Sequence, residues 1–343
     1  MSRKVAIVVP TLNEEVRIGG LLAQLSRLPT NIVVDILVAD GRSADATRAR
    51  IAGAARTEAR IRLIDNPARL QAAGVNRAVA AADPAADTIV RIDAHAIYPD
   101  DYVPRIMAAF DRTGADMIAT RLDTRGEACA QRGIAAAQNS RFGSGGSAHR
   151  VGGYSGWVDH GHHAGMDRAT FTAVGGYDET FAANEDAELD LRVRRAGGRI
   201  WLAGDIEAMY FPRRTLSALF RQYRRYGVGR ARTYLKHGER LRVRQMLPPM
   251  VVLAIVGALV LAPVVPWIIA VPGLYTVALI SAGLALFIQD PSLCTLFAAP
   301  AIGVMHMSWG IGFLATLLTK GARPQRCSAA SVAERKQFQV PGT

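Results

Sequence analysis

The chain has 343 residues, half of them hydrophobic, and a formal net charge of +12. That length has room for one large domain and a smaller appendage, but not for one soluble globule. Met246 to Gln289 runs for 44 residues without Asp, Glu, Lys or Arg, and Pro291 to Thr319 for another 29.

The N-terminal segment MSRKVAIVVPTLNEE has an apolar stretch of only six residues before Thr11. That is too short for the core of a signal peptide and fits a buried strand, so the first part of the chain is expected in the cytosol. Residues 4–9 (KVAIVV) and 32–39 (IVVDILVA) are apolar runs rich in β-branched residues, which predict strands buried on both faces of a parallel sheet. Between them, Val16, Leu21, Leu22 and Leu25 fall at helical spacing over 16–28. The unit repeats: helix 45–56, strand 61–64, Ala-rich helix 69–82, strand 88–92 (TIVRI), helix 100–112 and strand 115–120. Such alternation marks an α/β domain with crossover helices. It lapses after residue 125, which excludes a TIM barrel.

Residues 141–165 (RFGSGGSAHRVGGYSGWVDHGHHAG) are rich in Gly, Ser and His and read as an irregular, substrate-facing region. The stretch AANEDAELD at 182–190 then crowds four carboxylates into six residues. As local structure it is a helix start: Asn184 as N-cap, acids at the positive end of the dipole, and Leu189, Val193 and Ala196 as a buried stripe. From Arg213 to Arg244 there are eleven Lys/Arg and one acid, so this segment supplies +10 of the +12. It abuts the first apolar run. A basic juxtamembrane block is drawn to the anionic cytoplasmic face of a bilayer, and no nucleic acid is needed to explain it. Within it Leu216, Leu219, Phe220 and Tyr223 fall at helical spacing among arginines, as in an interfacial amphipathic helix.

A membrane-spanning helix needs about 20 apolar residues, so the first apolar run can hold two passes and the second one. Basic residues flank the apolar region on both sides (Arg242 and Arg244; Lys320, Arg323 and Arg326), and the positive-inside tendency would place both ends in the cytosol. Three segments conflict with that. Either one is re-entrant or interfacial, or the tail lies outside despite its charge. The expected organisation is a catalytic domain over 1–212, a basic interfacial segment over 213–245, a membrane region over 246–320 and a basic tail over 321–343. Cys129, Cys294 and Cys327 show no CxxC spacing and give no disulfide framework, as in a reducing compartment.

In an open α/β sheet ligands sit at the carboxyl ends of the strands. Three polar clusters fall there: Pro10-Thr-Leu-Asn-Glu14, Asp40-Gly-Arg-Ser and Asp93-Ala-His95. Each alone is compatible with ordinary turn chemistry; together with Glu185 and Asp186 they predict a site. No GxGxxG follows the first strand and no GxxxxGK[ST] occurs, which disfavours a dinucleotide cofactor and excludes a P-loop. What remains suits a nucleoside diphosphate held by carboxylates, a hard cation and a basic residue.

The ordered series VVPTLNEE (8–15), VADGRSADAT (38–47), NPARLQAAGVNRA (66–78), RIDAHA (91–96), VGGYDETFAANEDAELDLRVR (174–194) and RQYRRYG (221–227) resembles family 2 glycosyltransferases of the GT-A fold. The likeness is to the ExoA-type group that serves succinoglycan-like exopolysaccharide assembly, and it spans residues 4–235. It implies that Pro10, Thr11, Asn13, Glu14, Asp40 and Arg69 cradle the nucleotide of the donor. Asp93 opens a DxD-like metal motif for Mg²⁺ or Mn²⁺, and Asp186, with Glu185 beside it, is the catalytic base. Gln222, Arg225 and Tyr226 match a QxxRW motif facing the diphosphate or acceptor. Two positions depart from the pattern: His95 replaces the second acid, a poorer ligand for Mg²⁺ than for Mn²⁺, and Tyr226 replaces tryptophan. Glu188 and Asp190 are expected in solvent or paired with Arg192 and Arg194.

His160, His162 and His163 allow a metal reading through His160 and His163, but no further Cys or His pair supports it. Their place in the fold implies instead polar contact to a sugar or to an acceptor's pyrophosphate. Trp157 can stack on a sugar ring or sit in the core. The resemblance implies an inverting hexosyltransferase, UDP-glucose as donor, a polyprenyl-diphosphate-linked saccharide as acceptor, and a multi-pass protein of the cytoplasmic membrane with its catalytic domain in the cytosol. Two other readings stay open: a polyprenyl-phosphate hexose synthase, and a membrane-anchored nucleotide-sugar sensor without chemistry. A processive polysaccharide synthase is disfavoured because three apolar segments are few for a translocation channel.

Overall fold

The computed structural model describes residues 3–320. The alternation read from the sequence is present: β1 (Val5–Thr11), α1 (Glu15–Ser26), β2 (Val33–Asp40), α2 (Thr47–Ala55), β3 (Ile61–Asp65), α3 (Gln71–Ala81), β4 (Thr88–Arg91), α4 (Tyr102–Thr113) and β5 (Met117–Thr124). Next come α5 (Cys129–Asn139), the single turns α6 (Arg141–Ser144) and α7 (Ala148–Val151), then β6 (Gly156–Val158) and β7 (His162–Asp167). The chain continues through α8 (Arg168–Ala173), α9 (Glu185–Arg195), β8 (Ile200–Tyr210), α10 (Leu216–His237), α11 (Val243–Leu261), α12 (Ala270–Gln289) and α13 (Ala298–Lys320). The basic tail expected at 321–343, and Cys327 within it, lie outside the described residues.

One sheet in the order β3-β2-β1-β4-β7-β5-β8-β6 organises the first two thirds of the chain. β3, β2, β1 and β4 are parallel, as are β5 and β8, whereas β7 is antiparallel to both β4 and β5. The continuous apolar runs of β1 and β2 are explained by helices on both faces. One face packs Ile18, Leu21, Leu22 and Leu25 of α1, Ile51 of α2 and the buried side of α4. The other packs α3, Phe171 of α8, and Leu189 and Val193 of α9. This is the mostly parallel α/β architecture expected.

Several local readings need correction. Val16 is 88 % exposed, and Ile18 takes the buried place on α1. Ala196 is exposed too, because α9 ends at Arg195 and Ala196 is already its cap. The stretch 141–165 is less irregular than its composition implied: His162 to Asp167 forms β7, in the middle of the sheet. A strand beginning His-His-Ala-Gly carries little β-propensity, and pairing on both sides forms it regardless.

Three helical segments, Val243–Leu261, Pro266–Gln289 and Leu293–Thr319, are long and apolar enough to cross a membrane. The basic helix α10 lies along α13. A Cβ at Gly227 would overlap the Trp309 carbonyl, and one at Gly312 the Arg224 carbonyl, so glycines on both helices permit the close approach. Cys129 of α5 is disulfide-bonded to Cys294, 165 residues away, in the turn before α13. This overturns the expectation of unpaired cysteines. Spacing cannot reveal such a pair, because α5 and that turn meet only in the folded chain.

Candidate functional site

The turns that follow β1, β2 and β3 hold unusual backbone. Asn13, Arg42 and Arg69 all have positive φ, between 55° and 57°, as does Asn184 before α9 at 68°. Left-handed non-glycine residues are uncommon, and strain of this kind concentrates at functional sites. Asn13 Oδ1 accepts from the Ala44 amide at 2.9 Å, and Arg69 Nε donates to the Gly41 carbonyl at 3.1 Å, drawing these turns together. The Thr11 carbonyl accepts from the Gly41 amide at 2.8 Å. Asp40 is fully buried: its carboxylate accepts from Ser43 Oγ at 2.5 Å and from Arg48 at 2.9 Å. It therefore builds the turn from below. Asn184 stands at the N-cap position of α9, but its side chain makes no cap bond.

The acidic helix start and the end of β4 meet at one buried cation. Arg91 donates from Nη1 to Asp186 Oδ1 at 2.8 Å and from Nε to Asp93 Oδ1 at 3.1 Å. His162 lies between the same two carboxylates, 3.8 Å from Asp93 Oδ2 and 3.9 Å from Asp186 Oδ2. Asp186 Oδ1 also accepts from the Tyr177 hydroxyl at 2.9 Å and faces His163 Nδ1 at 3.3 Å. Oδ2 has no hydrogen-bond donor among the described residues. Burial would raise the Asp186 pKa, but the charges of Arg91 and His163 override it and hold the carboxyl well below the usual range. Its neighbour Glu185 behaves in the opposite way: burial and the Asp186 charge push it up to about 7.

The histidines separate by the alternation of β7. His163 is fully buried; its Nε2 meets Asp190 Oδ1 at 2.5 Å and its Nδ1 the Tyr177 hydroxyl at 2.7 Å. It does not line the cavity, so the contact to a sugar or pyrophosphate expected of it is not available. Burial opposes its protonation, yet Asp190 and Asp186 on either side push it up to about 10. His160 Nδ1 meets the other oxygen of Asp190 at 2.6 Å. Asp190 is thus neither solvated nor paired with an arginine. Glu188 is buried too, bonded to Arg192 as expected and also to Lys236 and His237 of α10. Arg194 pairs with Glu239.

Above these carboxylates opens a cavity of about 1150 Å³. Asp93, His95, Glu185, Asp186, His160 and His162 line it, and so do Gln222, Arg225 and Tyr226 of α10. Gln222 Nε2 donates to the Tyr226 hydroxyl at 2.9 Å, fixing that pair on one wall. Pro10, Thr11, Asn13, Glu14, Asp40 and Arg69 stand outside this cavity's lining. Trp157 does too. It sits on the edge strand β6, 43 % exposed, against Trp201 and under Arg199.

Residues 6–175 match the family described as glycosyl transferase family 2. The chain is 43 % identical, over 91 % of its length and 94 % of the relative's, to the succinoglycan biosynthesis protein ExoA of Rhizobium meliloti. This chain belongs to glycosyl transferase family 2. The mannosyltransferase PcManGT of Pyrobaculum calidifontis, solved with GDP-Man and Mn²⁺, shares the fold at a TM-score of 0.59 and 16 % identity, over 94 % of this chain and 89 % of that one. The architecture of this glycosyltransferase is thus the GT-A fold.

The donor set of the transferase fits a divalent cation only together with ligands from a substrate. Among the described residues no three His, Cys, Asp or Glu side chains converge on one point. Asp93 Oδ2 and the imidazoles beside it can supply part of a coordination sphere, and diphosphate oxygens the rest. His95 turns Nδ1 towards Glu14 Oε1, 3.6 Å away.

Arg91 and Tyr177 are the residues that sequence reasoning missed. The signal was present, since an arginine inside the apolar strand TIVRI must be paired to be buried. His163 gives a pH prediction. Its folded pKa lies above the unfolded one, so the stability it supplies is complete below about pH 6.5 and lost as pH rises through about 10. Thermal unfolding of the detergent-solubilised protein should show that alkaline decline, and His163→Gln should remove it. A decline of equal size in the variant would assign it elsewhere.

Proposed function

We propose that this glycosyltransferase inverts the anomeric centre of a nucleotide-activated hexose, UDP-glucose by the family resemblance, and extends a polyprenyl-diphosphate-linked saccharide in exopolysaccharide assembly. The observation that carries the reading is the pairing of Asp186 and Asp93 through Arg91 at the floor of the cavity. Inverting transfer is a single displacement. The acceptor oxygen forms its bond to the anomeric carbon as the bond to the diphosphate breaks, and the nucleoside diphosphate leaves with the electron pair. Asp186 takes the acceptor proton on Oδ2, the oxygen without a donor. Tyr177, Arg91 and His163 hold Oδ1 and so orient the carboxylate. Arg225 lines the cavity where it can meet charge developing on the leaving diphosphate. Pro10, Thr11, Asn13, Glu14, Asp40 and Arg69 shape the turns on which the nucleotide rests.

A divalent cation, Mg²⁺ or Mn²⁺, bound by Asp93 with His95 or His162 would neutralise diphosphate charge. Three helices long and apolar enough to cross a membrane support a multi-pass protein of the cytoplasmic membrane, with the catalytic domain on the cytosolic side where nucleotide sugars are made.

The test uses membranes carrying the protein, radiolabelled UDP-glucose and lipid-linked oligosaccharide. Label should enter the lipid extract on a product with two or more sugars, only when the preassembled acceptor is present, and EDTA should stop it. Label on a lipid carrying a single sugar would make the protein a polyprenyl-phosphate hexose synthase. Donor binding with no transfer to any lipid would make it a sensor. Activity indifferent to EDTA would remove the cation.

A further inference from the structure

The cavity does not end at the carboxylates. It continues past His160 to Arg230 of α10 and Arg244 in the first turn of α11. Neither arginine has a carboxylate within ion-pair distance among the described residues, because the nearby acids are taken. Glu239 pairs with Arg194, Asp159 with Arg242, and Asp190 with His160 and His163. The Arg150 guanidinium, on the same cavity, bonds the Thr124 hydroxyl at 2.9 Å and has no carboxylate partner among the described residues. Guanidinium groups gathered in a partly enclosed cavity without counter-charges are costly unless an anion joins them.

What lies next to them is apolar. Along α11 the cavity-lining residues Arg244, Leu247, Pro248 and Val251 are spaced i, i+3, i+4, i+7, so one helix face turns from cation to hydrocarbon within a turn. Ile302 and Met305 of α13 and Leu279 of α12 line the same cavity. The cleft therefore has a cationic mouth and walls made from the three candidate membrane helices.

We propose that this end of the cavity is the acceptor's lipid-diphosphate subsite. Arg230 and Arg244 hold the diphosphate of a polyprenyl-diphosphate-linked saccharide, and the cleft among α11, α12 and α13 takes its first isoprene units. The inference rests on the glycosyl-transfer reading and specifies where its acceptor sits. Guanidinium forks match the oxygens of a diphosphate, and Arg244 at the start of an apolar helix sits at the depth of a lipid headgroup. Arg230 lies five residues beyond Arg225, about 7.5 Å further along the helix axis. The cavity thus offers separate cations to the departing donor diphosphate and to the acceptor's, with the saccharide reaching from Arg230 back to Asp186.

The experiment measures binding of farnesyl diphosphate, inorganic pyrophosphate and UDP to the full-length protein in detergent. Farnesyl diphosphate should bind more tightly than pyrophosphate. The Arg230→Ala/Arg244→Ala double variant should weaken farnesyl diphosphate by about tenfold or more, the loss expected when charge-assisted hydrogen bonds are removed, and leave UDP unchanged. Val251→Trp, which narrows the cleft, should weaken farnesyl diphosphate but not pyrophosphate. Unchanged farnesyl diphosphate affinity in the double variant overturns the proposal, and so does equal affinity of the wild type for pyrophosphate. A double variant that still elongates lipid-linked acceptor with an unchanged KM would sink the subsite and spare the transferase reading. A wild type that transfers sugar to no lipid acceptor would sink both.

Discussion

Asp186→Asn is expected to lower kcat by about 10²–10⁴-fold, the contribution of a positioned general base, with donor binding unchanged. The reason is local. Oδ1 of Asp186 is surrounded by donors, namely Arg91 Nη1 at 2.8 Å, the Tyr177 hydroxyl at 2.9 Å and His163 Nδ1 at 3.3 Å. An asparagine will therefore turn its carbonyl towards those donors and leave its NH₂ at the position of Oδ2. That group cannot take a proton. The rival base is Glu185, which also lines the cavity and which burial and the Asp186 charge push up to about 7. The two make opposite predictions for the rate against pH. Asp186 is held well below the usual carboxylate range, so with it as base the rate stays level as pH falls from 8 to 6 on the scale of its titration. With Glu185 as base the rate falls as pH drops through about 7. Steady-state transfer by Asp186→Asn and Glu185→Gln across that range decides between them: full turnover in the first and loss in the second would move the chemistry to Glu185.

Much of the fold could be read because it is written locally. The runs at 5–11 and 33–40 carry apolar residues on both sides of the pleat, Asp35 being the one charged residue before Asp40 closes the second, and only a strand covered on both faces requires that. The strand β7 could not be read that way. In its polar opening, His163 is buried by partners that arrive from α9 and from Tyr177, and no neighbour in sequence announces them. The crowded acids at 185–190 were legible as a helix start, and that is what they make. Beyond the pairing of Glu188 with Arg192, the sequence did not show that three of the four carboxylates have cations of their own: Arg91 for Asp186, Lys236 and His237 as well as Arg192 for Glu188, and the two histidines for Asp190. A helix of basic residues read as a membrane-surface element supplies two of those cations and a wall of the cavity. The link between Cys129 and Cys294 is hidden for the same reason, since contact between distant segments leaves no periodic trace.

Removing Arg91 should destabilise the protein by about 3–5 kcal/mol, the range for deleting one partner of a buried ion pair. Arg91 is nearly sealed from solvent, at 4 % exposed, and holds Asp93 and Asp186 together. Arg91→Leu keeps much of the volume and strands both carboxylates. The loss should depend on pH in a defined direction. In the wild type Asp186 has a depressed pKa, so the stability it contributes is present above the usual carboxylate range and lost as pH falls through its folded value. Without Arg91 the burial that opposes ionisation has less to offset it, the carboxyl pKa rises, and the variant gains stability as pH falls. The gap in Tm between wild type and Arg91→Leu should therefore narrow from about pH 8 to about pH 5. Arg91→Lys should recover only part of the loss, because a single ammonium cannot reach both carboxylates with the geometry of a guanidinium fork. Combining Arg91→Leu with Asp186→Asn should cost less than the sum of the two, since the second change removes one of the charges the first leaves unpaired. Additive losses, or a Tm gap that is the same at both pH values, would mean that Arg91 supports the strand by packing alone and that the two carboxylates are held apart from each other by something else.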